Sequence, residues 1–260
     1  MEKLNNKLLQ SKQKLSSLPF RKIAPNIVTT LALCSGITSI RYSLTEDWGK
    51  AIVCIFLAAF FDMLDGRVAR MLKGSTKFGA ELDSLSDFAS FGVAPAILMY
   101  EWSLHDFSRF GWFFCLLFAI CMAMRLARFN TMLDEEPQPD YWHNFFVGVP
   151  APAAAALGIL PIMLSFEYPN FAFLQSNWFC SVVMCVVAML MVSRIPTIST
   201  KRMKIPTYMI VPMLVLVVFM ATLVVSQPWL FFSIMTGLYA LSIPVGVWWF
   251  LRLKNAVQKI

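Results

Sequence analysis

Acidic and imidazole side chains are scarce in this chain: 15 Asp and Glu stand against 22 Lys and Arg, and there are two histidines in 260 residues. The cysteines do not make up for that shortage of ligands. Cys34, Cys54, Cys115, Cys121, Cys180 and Cys185 all fall inside apolar runs with no metal-like spacing. They read as small core residues, which sets aside a disulfide framework and a zinc site. The first 25 residues contain no continuous apolar stretch, so no signal peptide is expected. No internal repeat is visible. No soluble domain is hidden either: the longest connection, residues 132–146, holds Asp134, Glu135, Glu136, Pro137, Pro139 and Asp140 and reads as a polar loop. Nucleic acid is not an expected partner.

What the chain does have is apolar length. It is 58% hydrophobic with a mean hydropathy of +0.65, outside the range of soluble domains. The expected fold is all-α, a polytopic membrane helical bundle forming one domain over residues 23–260. Apolar runs suggest eight spans, at 27–44, 48–72, 80–100, 109–131, 147–166, 174–193, 207–226 and 229–252. The last two are separated by Ser226, Gln227 and Pro228 and read as a helical hairpin. Ahead of the bundle, residues 1–22 carry Lys3, Lys7, Lys12, Lys14, Arg21 and Lys22 with Leu4, Leu8, Leu15 and Leu18 between them. This is a basic, weakly amphipathic juxtamembrane segment suited to an anionic membrane surface, or else a solvated basic tail.

Charge sets the orientation. The amino terminus, the loops after spans two, four and six, and the carboxyl terminus hold 19 of the 22 basic residues. The opposite side holds Arg41, Lys50 and Arg109 beside several acids. Both termini should therefore be cytoplasmic. A bacterial inner membrane is the expected location.

Against this apolar background four aspartates stand out. Asp62, Asp65, Asp83 and Asp87 are spaced by three, eighteen and four residues among apolar neighbours. A charge at such a depth costs about 2.5 to 3.5 kcal/mol on insertion scales, so intramembrane acids face a cavity, a metal or a partner. Residues three or four apart share a helix face, which pairs Asp62 with Asp65 and Asp83 with Asp87. Depth agrees: Trp48 to Asp62 and Glu101 back to Asp87 are each fourteen residues, about 21 Å of helix. Antiparallel neighbours would bring both pairs to one level, opening toward the cytoplasm. Four adjacent anions repel one another unless cations stand between them. Hard oxygen donors without His or Cys point to Mg²⁺ or Mn²⁺.

The pattern Asp62-x2-Asp65-Gly66-x2-Ala69-Arg70-x8-Gly79-x3-Asp83-x3-Asp87 resembles the signature of the CDP-alcohol phosphotransferase family at eight fixed positions. That resemblance implies an enzyme displacing CMP from a CDP-linked lipid with two divalent ions, Mg²⁺ or Mn²⁺, and a homodimer. It implies that Asp62, Asp65, Asp83 and Asp87 hold metal and that Asp87 is also the catalytic base. CDP-diacylglycerol binding would fall to Gly66, Ala69, Arg70, Thr76 and Gly79. Physical reasons accompany the roles: Gly66 and Ala69 leave room for the nucleotide, and the Arg70 fork suits phosphate oxygens. Asn26 and Thr29, in Pro25-Asn26-Ile27-Val28-Thr29, are similar to a short CDP-contacting element; alternatively Asn26 is a helix N-cap and Thr29 bonds back to the backbone.

Further stretches resemble the membrane-integral phosphatidylserine synthases of this family. They are residues 76–95, Arg125-Leu126-Ala127-Arg128-Phe129-Asn130, residues 146–154, and Ser193-Arg194-Ile195-Pro196-Thr197. The implied acceptor is L-serine. Arg125 lies sixteen residues, about 24 Å of helix, beyond Arg109, which brings Arg125 and Arg128 to the depth of the aspartates. Arg125, Arg128 and Arg194 could bind serine carboxylate or lipid phosphate, or be cationic anchors snorkelling to the interface. Ala151 departs from the pattern, standing where Ser or Thr is expected, and leaves a hydroxyl contact there open. Glycerol 3-phosphate or inositol phosphate are alternative acceptors. A cation transporter and a silent scaffold are the readings from other classes. His105 and His143 carry no assigned role.

Overall fold

Long apolar stretches punctuated by Pro and Gly fold here as helices. The computed structural model describes residues 20–72, 74, 76–132, 145–193, 195–198 and 210–257. In order they form α1 (Phe20–Leu44), α2 (Trp48–Leu72), α3 (Lys77–Asp87), α4 (Ala94–Trp102), α5 (Ser108–Met132), α6 (Ala151–Gly158), α7 (Leu160–Glu167), α8 (Asn177–Val192), α9 (Ile210–Ser226) and α10 (Pro228–Val257). Strands β1 (Phe145–Val147) and β2 (Pro196–Ile198) pair antiparallel, with Phe145 opposite Ile198 and Val147 opposite Pro196. This short ribbon departs from the purely helical expectation. It closes the two connections that flank α6–α8, in sequence too rich in Pro and β-branched residues to extend the helices.

Among the described residues four helices are long and apolar enough to cross a membrane: Ile23–Leu44, Lys77–Trp102, Arg109–Thr131 and Pro228–Phe250. The chain is an integral membrane protein. Four of the eight expected spans do not meet that measure, and each has a cause. Helix α2 has the length, but Lys50, Asp62, Asp65, Arg67 and Arg70 make it too charged. The fifth run breaks into α6 and α7 at Ile159, where Pro161 has no N–H to continue the ladder. Helix α8 and the apolar part of α9, Pro212–Ser226, are shorter. Of the basic segment 1–22, residues 20–22 open α1 and the rest lies outside the described residues, as does the loop 133–144.

Two devices position the centre of the bundle. The first is a π turn, Phe88–Val93, which joins α3 to α4 directly after Asp87. Pro95 cannot donate to a carbonyl four residues back, and the Ala94 N–H instead reaches Ala89 O, five back. The second is a set of small polar contacts between helices. Ser39 Oγ donates to Ala51 O at 2.8 Å, tying α1 to α2. Ser86 Oγ donates to Thr29 O at 3.2 Å and Ser90 Oγ to Ala32 O at 3.3 Å, tying α1 to the α3–α4 rod. Small residues let backbones approach, and interhelical hydrogen bonds hold them where apolar burial gives no preference over lipid. Helix α2 starts sharply after Glu46, which adopts φ 57°. Asp47 then caps it, accepting from Lys50 N at 3.3 Å and pairing with Lys50 Nζ at 2.6 Å. That ammonium holds the Asp47 carboxyl below the usual carboxylate range.

Side chains from α2, α4, α5 and α8 fill the core, with Ile52, Leu98, Phe118 and Met184 fully buried. Phe91 joins them from the π turn. Gly36 shows how tight the α1 contact is: a Cβ there would run into Ser90 Oγ and sit 2.7 Å from Ser90 Cα. Gly36→Ala is expected to destabilise the protein by about 1 to 3 kcal/mol through overpacking. Gly49→Ala, whose methyl would first meet Trp229 at 3.4 Å, is the matched control. Thermal unfolding in detergent checks it, with the Gly36 variant alone losing several degrees.

Candidate active site

Helical spacing places Asp62 and Asp65 on one stripe of α2, and Asp83 and Asp87 on one stripe of α3. Helix α3 starts where it does because Thr76, in extended conformation, accepts a hydrogen bond from Gly79 N at 2.9 Å. The two stripes meet. Asp62, Asp83 and Asp87 offer carboxylate oxygens that all lie within 4.8 Å of one another. Asp65 turns aside into a neighbouring cleft, 6% exposed, and accepts from Thr29 Oγ1 at 2.6 Å. Thr29 also bonds back to Pro25 O at 3.1 Å. Both readings of Thr29 therefore hold at once.

The cleft has a volume of about 150 Å³ and lies between α1, α2 and the start of α3. Asn26, Thr29, Gly66, Ala69, Thr76 and Gly79 all line it, with Asp65 and Asp83 at its inner edge. Asn26 does not cap a helix, since α1 begins six residues earlier at Phe20. Its side chain is instead free to face the cleft. A Cβ added at Gly79 would meet Asn26 Oδ1 at 2.9 Å and Thr76 Oγ1 at 3.1 Å, so its hydrogen atom is demanded by the cleft's own walls. Gly66 differs. A Cβ there would meet nothing within 4 Å, so no protein atom accounts for the glycine and the space belongs to the cleft.

The arginines divide. Arg125 lies half-buried on α5 with its electrostatic neighbours Asp87, Asp62 and Tyr239, and its Nε has no hydrogen-bond partner. Arg128 is committed elsewhere: its guanidinium donates to Val192 O at 2.7 Å, Ser193 O at 3.2 Å and Met191 O at 3.4 Å. It satisfies the last carbonyls of α8, a cation at a helix carboxyl end. Arg70 is exposed and stands outside the cleft wall. Arg194 lies outside the described residues, as does His143. Ala151 is buried in the core at 1% exposure, so the missing hydroxyl falls in packing.

Several neighbours of the site carry no role in the sequence pattern. Ser84 and Asn130 are hydrogen-bonded across α3 and α5. Thr236 and Tyr239 line a second, apolar groove of about 260 Å³ with residues of α2 and α6. Asn130 had a signal, its place in the Arg125–Asn130 stretch; polar residues on α10 had none.

The donor set of Asp62, Asp83 and Asp87 suits a hard divalent cation, being clustered carboxylate oxygens only, and Asp65 stands beside it held by Thr29. Residues 22–183 match the family described as CDP-alcohol phosphatidyltransferase. The chain belongs to that family. Residues 208–244 match a second description, CDP-alcohol phosphatidyltransferase 2. The chain is 38% identical over 228 residues to a CDP-diacylglycerol–serine O-phosphatidyltransferase of Mycobacterium leprae, covering 87% of this chain and 75% of that one. It is 34% identical over 238 residues to the enzyme of that name in Helicobacter pylori, covering 90% and 94%. An archaetidylserine synthase of Methanothermobacter thermautotrophicus is 35% identical over 176 residues, covering 66% and 67%.

In this CDP-alcohol phosphatidyltransferase the Thr29–Asp65 bond has a measurable consequence. Thr29→Val keeps the shape and removes the donor. Divalent metal affinity is expected to fall about 10- to 100-fold, as for other residues that orient metal ligands. Titration with Mn²⁺ followed by electron paramagnetic resonance checks it, and an unchanged affinity would show that Asp65 needs no orienting partner.

Proposed function

We propose that this protein makes phosphatidylserine and CMP by transferring the phosphatidyl group of CDP-diacylglycerol to L-serine. The observation that carries the reading is the meeting of Asp62, Asp83 and Asp87 beside a cleft walled by Asn26, Thr29, Gly66 and Gly79. The names borne by the relatives supply the acceptor.

The residues take the following parts. The CDP moiety lies in the cleft, where Gly66 admits its backbone approach and Asn26, Thr76 and Gly79 form the walls. Arg70, from the rim, and Ala69 complete that side. Asp62, Asp65, Asp83 and Asp87 would hold two Mg²⁺ or Mn²⁺ ions, which would supply positive charge for the phosphoryl transfer. Asp87 accepts the proton of the serine hydroxyl as its oxygen bonds to the lipid-side phosphorus. The phosphorus–oxygen bond to CMP breaks, and CMP leaves. Arg125 receives the serine carboxylate or lipid phosphate through its guanidinium, whose buried Nε makes no hydrogen bond within the protein. Arg128 acts from behind by holding the end of α8, and Arg194 remains a candidate cation.

The remaining features belong to the same reading. All eight apolar runs lie within the membrane as one domain, both termini and the site face the cytoplasm, and the membrane is a bacterial inner membrane. The basic segment 1–22 lies along its surface. The enzyme is a homodimer.

Two measurements test this. Purified protein given CDP-diacylglycerol, Mn²⁺ and labelled serine is expected to form labelled lipid. Glycerol 3-phosphate and inositol phosphate in serine's place should give none. Labelled lipid from either phosphate acceptor, and not from serine, would overturn the acceptor. Asp87→Asn is expected to lower kcat by about 10² to 10⁴ with an unchanged elution profile. Wild-type turnover in that variant would remove Asp87 as the base.

A further inference from the structure

The Arg125–Asn130 stretch is only partly used by this mechanism. Its last residue, Asn130, makes a bond that the first five do not. Asn130 Nδ2 donates to Ser84 Oγ at 3.0 Å, while Ser84 Oγ donates to Ala80 O at 3.1 Å. Asn130 Oδ1 lies 3.4 Å from the same hydroxyl. The amide therefore reaches from the cytoplasmic end of α5 to α3, one residue past Asp83.

This bond bridges two helices whose main packing lies elsewhere, for α5 packs chiefly on α8, the π turn and α4, and α3 on α1. Deeper down they are in firm contact. A Cβ at Gly92 would sit 3.0 Å from Met122 Cγ, so the π turn touches α5 there. The two contacts are matched in sequence. From Ser84 to Gly92 is eight residues, and from Met122 to Asn130 is eight, about 12 Å of helix on each side. Asp87 lies between the two contacts on one helix and Arg125 on the other. Arg125 is in neither ion pair formed among the described residues. The carboxylate and the guanidinium thus face the same interval without closing on each other, and the interval is bounded below by Gly92–Met122 and above by Ser84–Asn130. The CDP cleft lies on the other side of α3, toward α1.

We propose that Asn130 is a positioning residue for the acceptor: its bond to Ser84 fixes the α3–α5 spacing in which serine is held between Asp87 and Arg125. The inference rests on the phosphatidylserine synthase reading above. A small amino acid needs the two groups at one set distance. A spacing free to widen would hold serine poorly and discriminate less against larger hydroxy amino acids. The side chains of Ser84 and Asn130 are neither carboxylate ligands nor lining groups of the CDP cleft, although Ser84 Oγ donates to the backbone of Ala80 in the cleft wall.

Steady-state kinetics of the full-length enzyme in detergent or nanodiscs, varying one substrate at a time, tests it. Asn130→Ala and Ser84→Ala are each expected to raise KM for serine about tenfold, the worth of one lost hydrogen bond. KM for CDP-diacylglycerol and Mn²⁺ affinity should stay within about twofold. The double variant should be no worse than the poorer single one, because both remove the same bond. Ser84→Thr, which keeps the hydroxyl, should retain the wild-type KM for serine. Threonine should gain as a competitor of serine in the Asn130→Ala enzyme. Equal losses toward both substrates with a lowered unfolding temperature, or an unchanged KM for serine, would overturn the inference and leave the bond a structural tie. A wild-type enzyme inert with serine overturns the function itself, and is read before any variant is made.

Discussion

Three carboxylates held within 4.8 Å of each other inside an apolar bundle are the constraint to which the rest of the structure answers. Anions at that spacing repel, and burial deprives them of the water that would screen the repulsion. Helices carrying them would drift apart unless something else held them. Much of the bundle's non-apolar bonding serves that purpose. Ser39, Ser86 and Ser90 fasten α1 to both acid-bearing helices, and Thr29 ties α1 to Asp65. Helix α1 carries no acid of its own. It works as the clamp on the two helices that do, and the clearance of Gly36 over Ser90 shows how closely it is applied. A divalent ion among the oxygens would then convert the repulsion into coordination on a frame already assembled.

The π turn after Asp87 belongs to the same constraint. Below it α4 must pack into the core through Leu98 and Met99, whereas above it α3 must aim Asp83 and Asp87 at α2. A regular helix would keep one fixed relation between those faces. Inserting one residue's worth of backbone between them lets each be satisfied separately. The position of the turn follows from composition: Gly92 admits the approach of Met122, and Pro95 breaks the ordinary ladder.

Much of this was legible from residue spacing. Acid pairs three and four apart and equal fourteen-residue offsets to opposite helix ends are local features, and of the four acids they bring together three do meet, Asp62, Asp83 and Asp87, while Asp65 turns to Thr29. What escaped depends on partners distant in sequence. Arg128 looks identical to Arg125 along the chain, yet its guanidinium meets the end of α8 some 64 residues away. Asn26 resembled a helix cap because it stands just before the apolar run that opens at residue 27, but α1 starts at Phe20 and carries Pro25 and Asn26 inside. The break at Ile159 was hidden by hydropathy, which counts Pro161 as one neutral residue and does not register a missing N–H. The β1–β2 ribbon pairs three-residue segments about fifty residues apart, too short for alternation to show.

The two sides of the acid cluster are built from different chemistry, and the difference fits two substrates of different kind. Toward α1 the wall is hydroxyls, amide and glycine: Thr29, Thr76, Asn26, Gly66, Gly79. Those groups are small, uncharged and offer both donors and acceptors, as a nucleotide with base, sugar and phosphates requires. Toward α5 the nearest group is a guanidinium with an uncommitted donor. A half-buried cation is tolerable there because Asp62 and Asp87 lie near it, yet neither is drawn into a closed ion pair. On the proposed mechanism, a pair that closed would cancel both charges, removing the proton acceptor and the anion receptor together. Keeping them apart preserves both for a molecule that carries a hydroxyl and a carboxylate a few bonds from each other.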